Sequence, residues 1–185
     1  MADQLSSKDW LDQGLKTLAR HGFTALKAEP LAKEMGVSRG SFYWHFKDID
    51  AFHAALLKHW QDVAAERIIA DTEATAEREA LAALLRRAFG GRLSLERAVR
   101  TWAANAPVAR ESVRAIDRRR LDYIAALLMR TGLSSAIAQA RAQLLYWAFV
   151  GFALSDKPLP AAEHAAVLDE LIHMASSPAP VLSRP

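Results

Sequence analysis

Residues 36–47 read Gly-Val-Ser-Arg-Gly-Ser-Phe-Tyr-Trp-His-Phe-Lys. The stretch joins a tight turn to a short helix crowded with groups that suit a phosphate-lined groove. Gly36 tolerates the positive φ that ends a helix sharply. Val37 is an apolar turn residue, and the hydroxyl of Ser38 is expected to cap the helix that follows. Upstream, Leu31, Ala32 and Met35 recur at helical spacing behind Pro30, which a helix accepts only in its first turn. Downstream, Phe42 and Phe46 stand four apart and are expected to face inward. That leaves Arg39, Gly40, Ser41, Tyr43, Trp44, His45 and Lys47 largely outward. Helix, turn, helix is the reading, with exposed aromatic rings beside basic groups on the second helix.

Working outward, Trp10-Leu11-Asp12 opens a first helix that Gly22-Phe23 closes, and the run from Trp10 to Phe52 resembles the TetR family of transcriptional repressors. About a dozen positions agree in order and spacing, ending in Tyr43-Trp44-His45-Phe46. The resemblance implies an all-α fold of about nine helices, with a three-helix DNA-binding head over 1–48. A helical effector-binding and dimerisation domain would occupy 49–176, and a tail 177–185. It implies that Arg39 reads base edges and that Tyr43 and His45 contact phosphates or bases. Trp44 would pack on the sugar-phosphate backbone or support its helix. Ser38, Ser41 and Lys47 would set the register on phosphates, a role that positions the protein without reading sequence, and Gly40 belongs to the same DNA-binding set. The partners so implied are a double-stranded DNA operator, a second copy of the chain and a small-molecule effector.

Four residues depart from the family pattern. Lys27 and Ala28 replace the usual Thr near the start of the second helix, removing a hydroxyl cap from a segment expected to approach DNA. Glu29 stands where some members carry a base-reading Arg. Its carboxylate either accepts from cytosine N4 or is a favourable charge at a helix N-terminus. Ile49 replaces a common phosphate-binding Lys, shifting that contact towards Lys47.

Composition bounds the rest. The 185 residues are 51% apolar, ample for a core, and contain no cysteine, which excludes disulfides and thiolate chemistry. No apolar run approaches the roughly 18 residues of a membrane span, and the start lacks a signal-peptide pattern, so a cytoplasmic location is expected. Residues 1–50 hold seven Lys and Arg against seven Asp and Glu, so the reading head is neutral overall. Residues 86–141 hold twelve Arg against four acids. No phosphate-binding Gly-rich loop, nucleophile elbow or His-Glu-x-x-His is present, and His53 and His59 lack metal-ligand spacing. An enzyme, a cofactor and a metal site are therefore not expected.

Helix breaks are expected near Gly22, Gly36, Asp48, Thr75, Gly90-Gly91, Pro107, Gly132 and Pro158-Leu159-Pro160. No stretch has the period-two alternation of a strand. Residues 134–154 are apolar nearly all round, and 161–175 form a second broadly apolar helix. Either these build an ordinary core, or Leu144, Phe149, Phe152, Leu168, Leu171 and Ile172 pack against the same pair in another copy.

In the helix expected over 108–130, Arg120 falls on the apolar face of Val113, Ile116, Ile124 and Leu127. A guanidinium there needs a partner, either Asp117 or the acid group of an effector. Trp102, Asn105, Tyr123 and Trp147 are the remaining candidates for an effector pocket, with plain core packing as the alternative. A second account of the whole chain is an interaction protein that keeps the helix-turn-helix scaffold without sequence-specific DNA binding.

Overall fold

The computed structural model describes residues 5–69, 79–91, 93–156 and 159–177. The expected breaks at Thr75 and Pro158, and the tail from residue 178, lie outside them. Among the described residues the protein is entirely helical, without strands. Helices α1 (Ser7–His21), α2 (Ala28–Glu34) and α3 (Arg39–His45) form the head, with a single 3-10 turn at Phe23–Ala25. They are followed by α4 (Ile49–Ile69), α5 (Ala80–Gly90), α6 (Ser94–Asn105), α7 (Pro107–Arg130), α8 (Ser135–Leu154) and α9 (Ala161–Ser176).

Local chemistry sets most of these limits. The hydroxyl of Ser6 accepts from the Asp9 N–H at 3.3 Å while the Asp9 carboxylate accepts from the Ser6 N–H at 2.7 Å. This reciprocal capping box starts α1 three residues before Trp10. Gly22 at φ 77°, Gly36 at φ 69° and Gly132 at φ 92° occupy left-handed conformations that side chains disfavour, and each follows the end of a helix. The Asp48 carboxylate accepts from the Ala51 N–H at 2.8 Å and caps α4. Arg110 donates to the carbonyls of Ala103 and Ala104 at 3.2 and 2.9 Å, satisfying the C-terminus of α6 across the break at Pro107.

The chain forms two compact units. One comprises 1–65 with 92–116, and the other 66–91 with 117–185. In the first, α6 packs along α1, and Val99, Trp102 and Ala103 join the same buried cluster as Trp10, Leu18, Leu31, Phe42, Phe52, Leu56 and Trp60. In the second, Leu81, Leu85 and Phe89 of α5 meet Ile124 and Leu128 of α7, Ala138, Ala142, Leu145 and Tyr146 of α8, and Ala175 of α9. Arg141 reaches from α8 to the carbonyls of Ala175 and Ser177 at 2.9 and 2.5 Å, closing the end of α9.

Phe42 has no exposed surface and contacts Trp10 edge-on at 5.4 Å, Phe46 at 5.3 Å and Phe52 at 5.3 Å. Truncating it leaves three aromatic neighbours around a void. Phe42→Ala should destabilise the first unit by about 3–5 kcal/mol, measured by denaturant melts followed through tryptophan fluorescence; a loss below about 1 kcal/mol would contradict this packing.

Candidate nucleic-acid interface

The turn before α3 is built from backbone bonds. The Gly36 N–H donates to the Lys33 carbonyl at 3.2 Å, and the Val37 N–H to Ala32 at 3.0 Å. Ser38 occupies the N-cap position in extended conformation, but its hydroxyl makes no capping bond. The expectation of a side-chain cap is thus corrected: the Ser38 carbonyl, accepting from the Ser41 N–H at 3.0 Å, closes the first turn. Lys27 likewise precedes α2 in extended conformation without a side-chain cap.

With Phe42 and Phe46 buried, the other side of α3 faces outward. Trp44 is 89% and Tyr43 46% exposed; Arg39, Gly40 and Lys47 are exposed, and Ser41 and His45 half-buried. A Trp this exposed is costly unless something covers it. Arg39 lies over the ring of Tyr43, 5.6 Å from its centroid, and its Nη2 donates to the Tyr43 hydroxyl at 3.2 Å. The Tyr43 hydroxyl, and at longer range the Glu29 carboxylate, hold the guanidinium firmly protonated. Sequence reading did not find this pair, although the i,i+4 spacing of Arg and an aromatic residue was the signal.

Across from α3, α2 completes an open depression lined by Lys27, Glu29, Pro30, Lys33, Arg39, Tyr43 and Ile49, with Ala28 at its edge. Ala28 is 8% exposed and packs in the core, while also bordering this depression. Behind this surface α2 is bolted to α1. Buried Thr17 donates to Glu34 Oε2 at 2.8 Å, and Gln13 donates to the same oxygen at 2.5 Å. A second tie joins α1 to α4, where His59 Nε2 stands 2.6 Å from Asp12 Oδ1, while Lys8 Nζ donates to Asp12 Oδ2 at 2.6 Å.

The effector candidates are divided between the two units. Trp102 and Asn105 belong to the first unit and Arg120, Tyr123 and Trp147 to the second. Trp102 is buried, stacked on Phe23 at 4.5 Å with His53 edge-on at 5.5 Å. Asn105 is exposed at the end of α6. Arg120 is half-buried with its guanidinium 5.5 Å from the centroid of Phe149, while Asp117 accepts from the Tyr146 hydroxyl. Tyr123 is half-buried, and Trp147 is 62% exposed. Of the residues expected to pair two copies, Leu144 is 61% exposed, whereas Phe149, Phe152, Leu168, Leu171 and Ile172 pack partly against the second unit's core. Trp147, Leu154, Val167 and Met174 extend the exposed apolar surface of α8 and α9 beyond those expected positions.

A buried aromatic hub, a glycine turn and an outward basic and aromatic helix define a helix-turn-helix head. Residues 11–56 match the family model of bacterial regulatory proteins of the tetR family. That match marks the segment as a DNA-binding domain of the kind found in tetR-family transcriptional regulators. No curated protein matches the chain. Among solved structures it is similar to a transcriptional regulator from Rhodococcus sp. Rha1, with a TM-score of 0.75 and 24% identity, covering 92% of this chain and 96% of that one. It is also similar to a TetR transcriptional regulator from Legionella pneumophila, with a TM-score of 0.71, 11% identity and coverages of 94% and 98%. The fatty acid degradation regulator FadR from Bacillus halodurans gives a TM-score of 0.65, 16% identity and 97% coverage of both chains. These likenesses confirm the all-helical fold. Among the described residues no helix is long and apolar enough to cross a membrane, and no cluster of His, Asp or Glu is arranged for a metal ion.

The Asp12 tie has a pH signature. The Lys8 bond lowers the Asp12 pKa most, partial burial opposes it, and the His59 bond adds to the lowering from 3.8. A carboxylate whose folded pKa is depressed stabilises the fold above its unfolded value and loses that contribution as pH falls through the folded one. Asp12→Asn should therefore lower Tm at neutral pH, with the gap to the parent closing below about pH 4. A gap that stays constant down to about pH 2 would contradict the tie.

Proposed function

We propose that the protein is a dimeric DNA-binding transcriptional repressor that acts in the cytoplasm and is released from its operator by a small molecule. The observation carrying this reading is the outward face of α3. There Arg39, Tyr43 and Trp44 stand exposed on a helix whose opposite side is locked into an aromatic core, and exposed Lys47 lies just past its end. The N-terminal residues of a recognition helix reach base edges in the major groove. Arg39 accordingly reads a base, Lys47 and Ser41 meet phosphates, and Trp44 lies along the backbone. Exposed Leu144, Trp147, Leu154, Val167 and Met174 supply the apolar face on which a second copy packs through α8 and α9. Two heads then meet two half-sites of a partly palindromic duplex.

Titration of the protein onto a selected duplex, read by anisotropy and by mass, tests the reading. Two chains should bind per duplex. Arg39→Ala should weaken the selected site about ten- to hundredfold and relax preference at one position per half-site. Lys47→Ala should weaken all sequences alike and flatten the salt dependence. Salt-independent binding, or none to any duplex, would favour the interaction-protein reading.

For the effector we propose a small, partly apolar acid held at Arg120, beside the aromatic residues Phe149 and Tyr146. A structural neighbour that regulates fatty acid degradation supports that ligand class. Octanoate is a suitable probe. Arg120→Met should keep the fold and DNA affinity and abolish octanoate-induced release. A loss of stability of about 3–5 kcal/mol would instead assign Arg120 to an internal pair.

A further inference from the structure

We propose that Tyr43 is a positioning residue for Arg39, holding the guanidinium ready above α3 so that sequence discrimination at one base pair depends on the Tyr43 hydroxyl. This rests on the DNA-binding reading above and goes beyond it, because it gives Tyr43 a role exercised through another side chain rather than on phosphate.

The geometry is that of a tether. Arg39 and Tyr43 are four residues apart on α3 and share a face. The guanidinium lies 5.6 Å from the Tyr43 ring centroid, and Nη2 donates to the hydroxyl at 3.2 Å, so it is fixed by a cation–π contact and a hydrogen bond together. Tyr43 is itself held, its ring edge-on to buried Phe42 at 5.3 Å. The chain of support therefore runs from the core through Phe42 and Tyr43 to Arg39. A guanidinium carries five N–H donors. One is spent on Tyr43, leaving enough in the same plane for the two that a guanine edge accepts. Glu29 lines the same depression and adds a longer-range attraction that favours the charged guanidinium.

An exposed Arg ordinarily loses several freely turning bonds when it seizes a base. Tethering moves that loss into the free protein, so the cognate complex does not bear it. Non-specific complexes, in which Arg39 meets no matching base, gain nothing. The tether therefore raises the specificity ratio rather than affinity in general.

Tyr43→Phe is the test, because it keeps the ring and its contact with Phe42 and removes only the hydroxyl. The expected result is a two- to tenfold loss of discrimination at the base pair that Arg39→Ala relaxes, on the order of the ordering cost of one long side chain. Affinity for mismatched DNA, the slope of affinity against salt, and Tm should stay unchanged. In the Arg39→Ala background Tyr43→Phe should have no further effect. Uniform weakening of every sequence with a flatter salt slope would overturn the proposal and make Tyr43 a phosphate contact, and unchanged discrimination would overturn it outright. Side-chain NMR of Arg39 Nε in the DNA-free protein separates this outcome from failure of the DNA reading itself. The order parameter should fall in Tyr43→Phe, and equal mobility in both proteins would sink the tether whether or not any duplex is bound.

Discussion

The edge-on contact of Phe42 with Trp10 of α1 and Phe52 of α4 is the constraint from which the head's surface follows. A helix turns 100° per residue, since 3.6 residues make one turn, so burying Phe42 places Trp44 about 200° away. Phe46, one turn on, repeats the inward position and prevents α3 from rolling. Arg39 and Tyr43 then lie on the flank beside α2. The buried ring sets which side of α3 faces outward, and the bond from Arg39 to the Tyr43 hydroxyl is made on that side.

The same economy explains how a head with no net charge keeps a cationic face. Its acids are largely spent on internal work. Asp9 caps α1, Asp12 joins Lys8 and His59, Glu34 accepts from Thr17 and Gln13, and Asp48 caps α4. Of the acids on α2 and α3, Glu29 alone remains on the rim of the depression, among Lys27, Lys33 and Arg39. Net charge is a poor guide here because a polyanion meets a local arrangement of charge, and around the depression Lys27, Lys33 and Arg39 outnumber Glu29.

Much of this was legible in the sequence where the cause is local. Gly36, the Phe42 and Phe46 spacing and the apolar run of α8 each act within a few residues, and the turn, the inward rings and the helix follow from them. The start of α1 was read late because Trp10 is the conspicuous residue, whereas Ser6 and Asp9 form the cap that sets the boundary. Ser38 was assigned a cap by residue type, but an N-cap hydroxyl must also point back at its helix, and here it does not. Trp102 shows the larger gap: the sequence marks it as a pocket or core candidate but does not name its neighbours. Only the fold brings Phe23 and His53 against it. Arg141, which closes α9 from α8, is a long-range contact that no short window of sequence contains.

The central claim is that the outward side of α3, carried on the Phe42 core, is the surface that meets duplex DNA. Hydroxyl-radical footprinting of the protein's side chains, with and without a selected duplex, addresses it directly. Tyr43, Trp44 and His45 should become protected on binding while Trp147 on α8 keeps its reactivity. Duplex binding that leaves Trp44 as reactive as in the free protein would contradict the account, because a ring 89% exposed cannot be part of the interface and remain open to solvent.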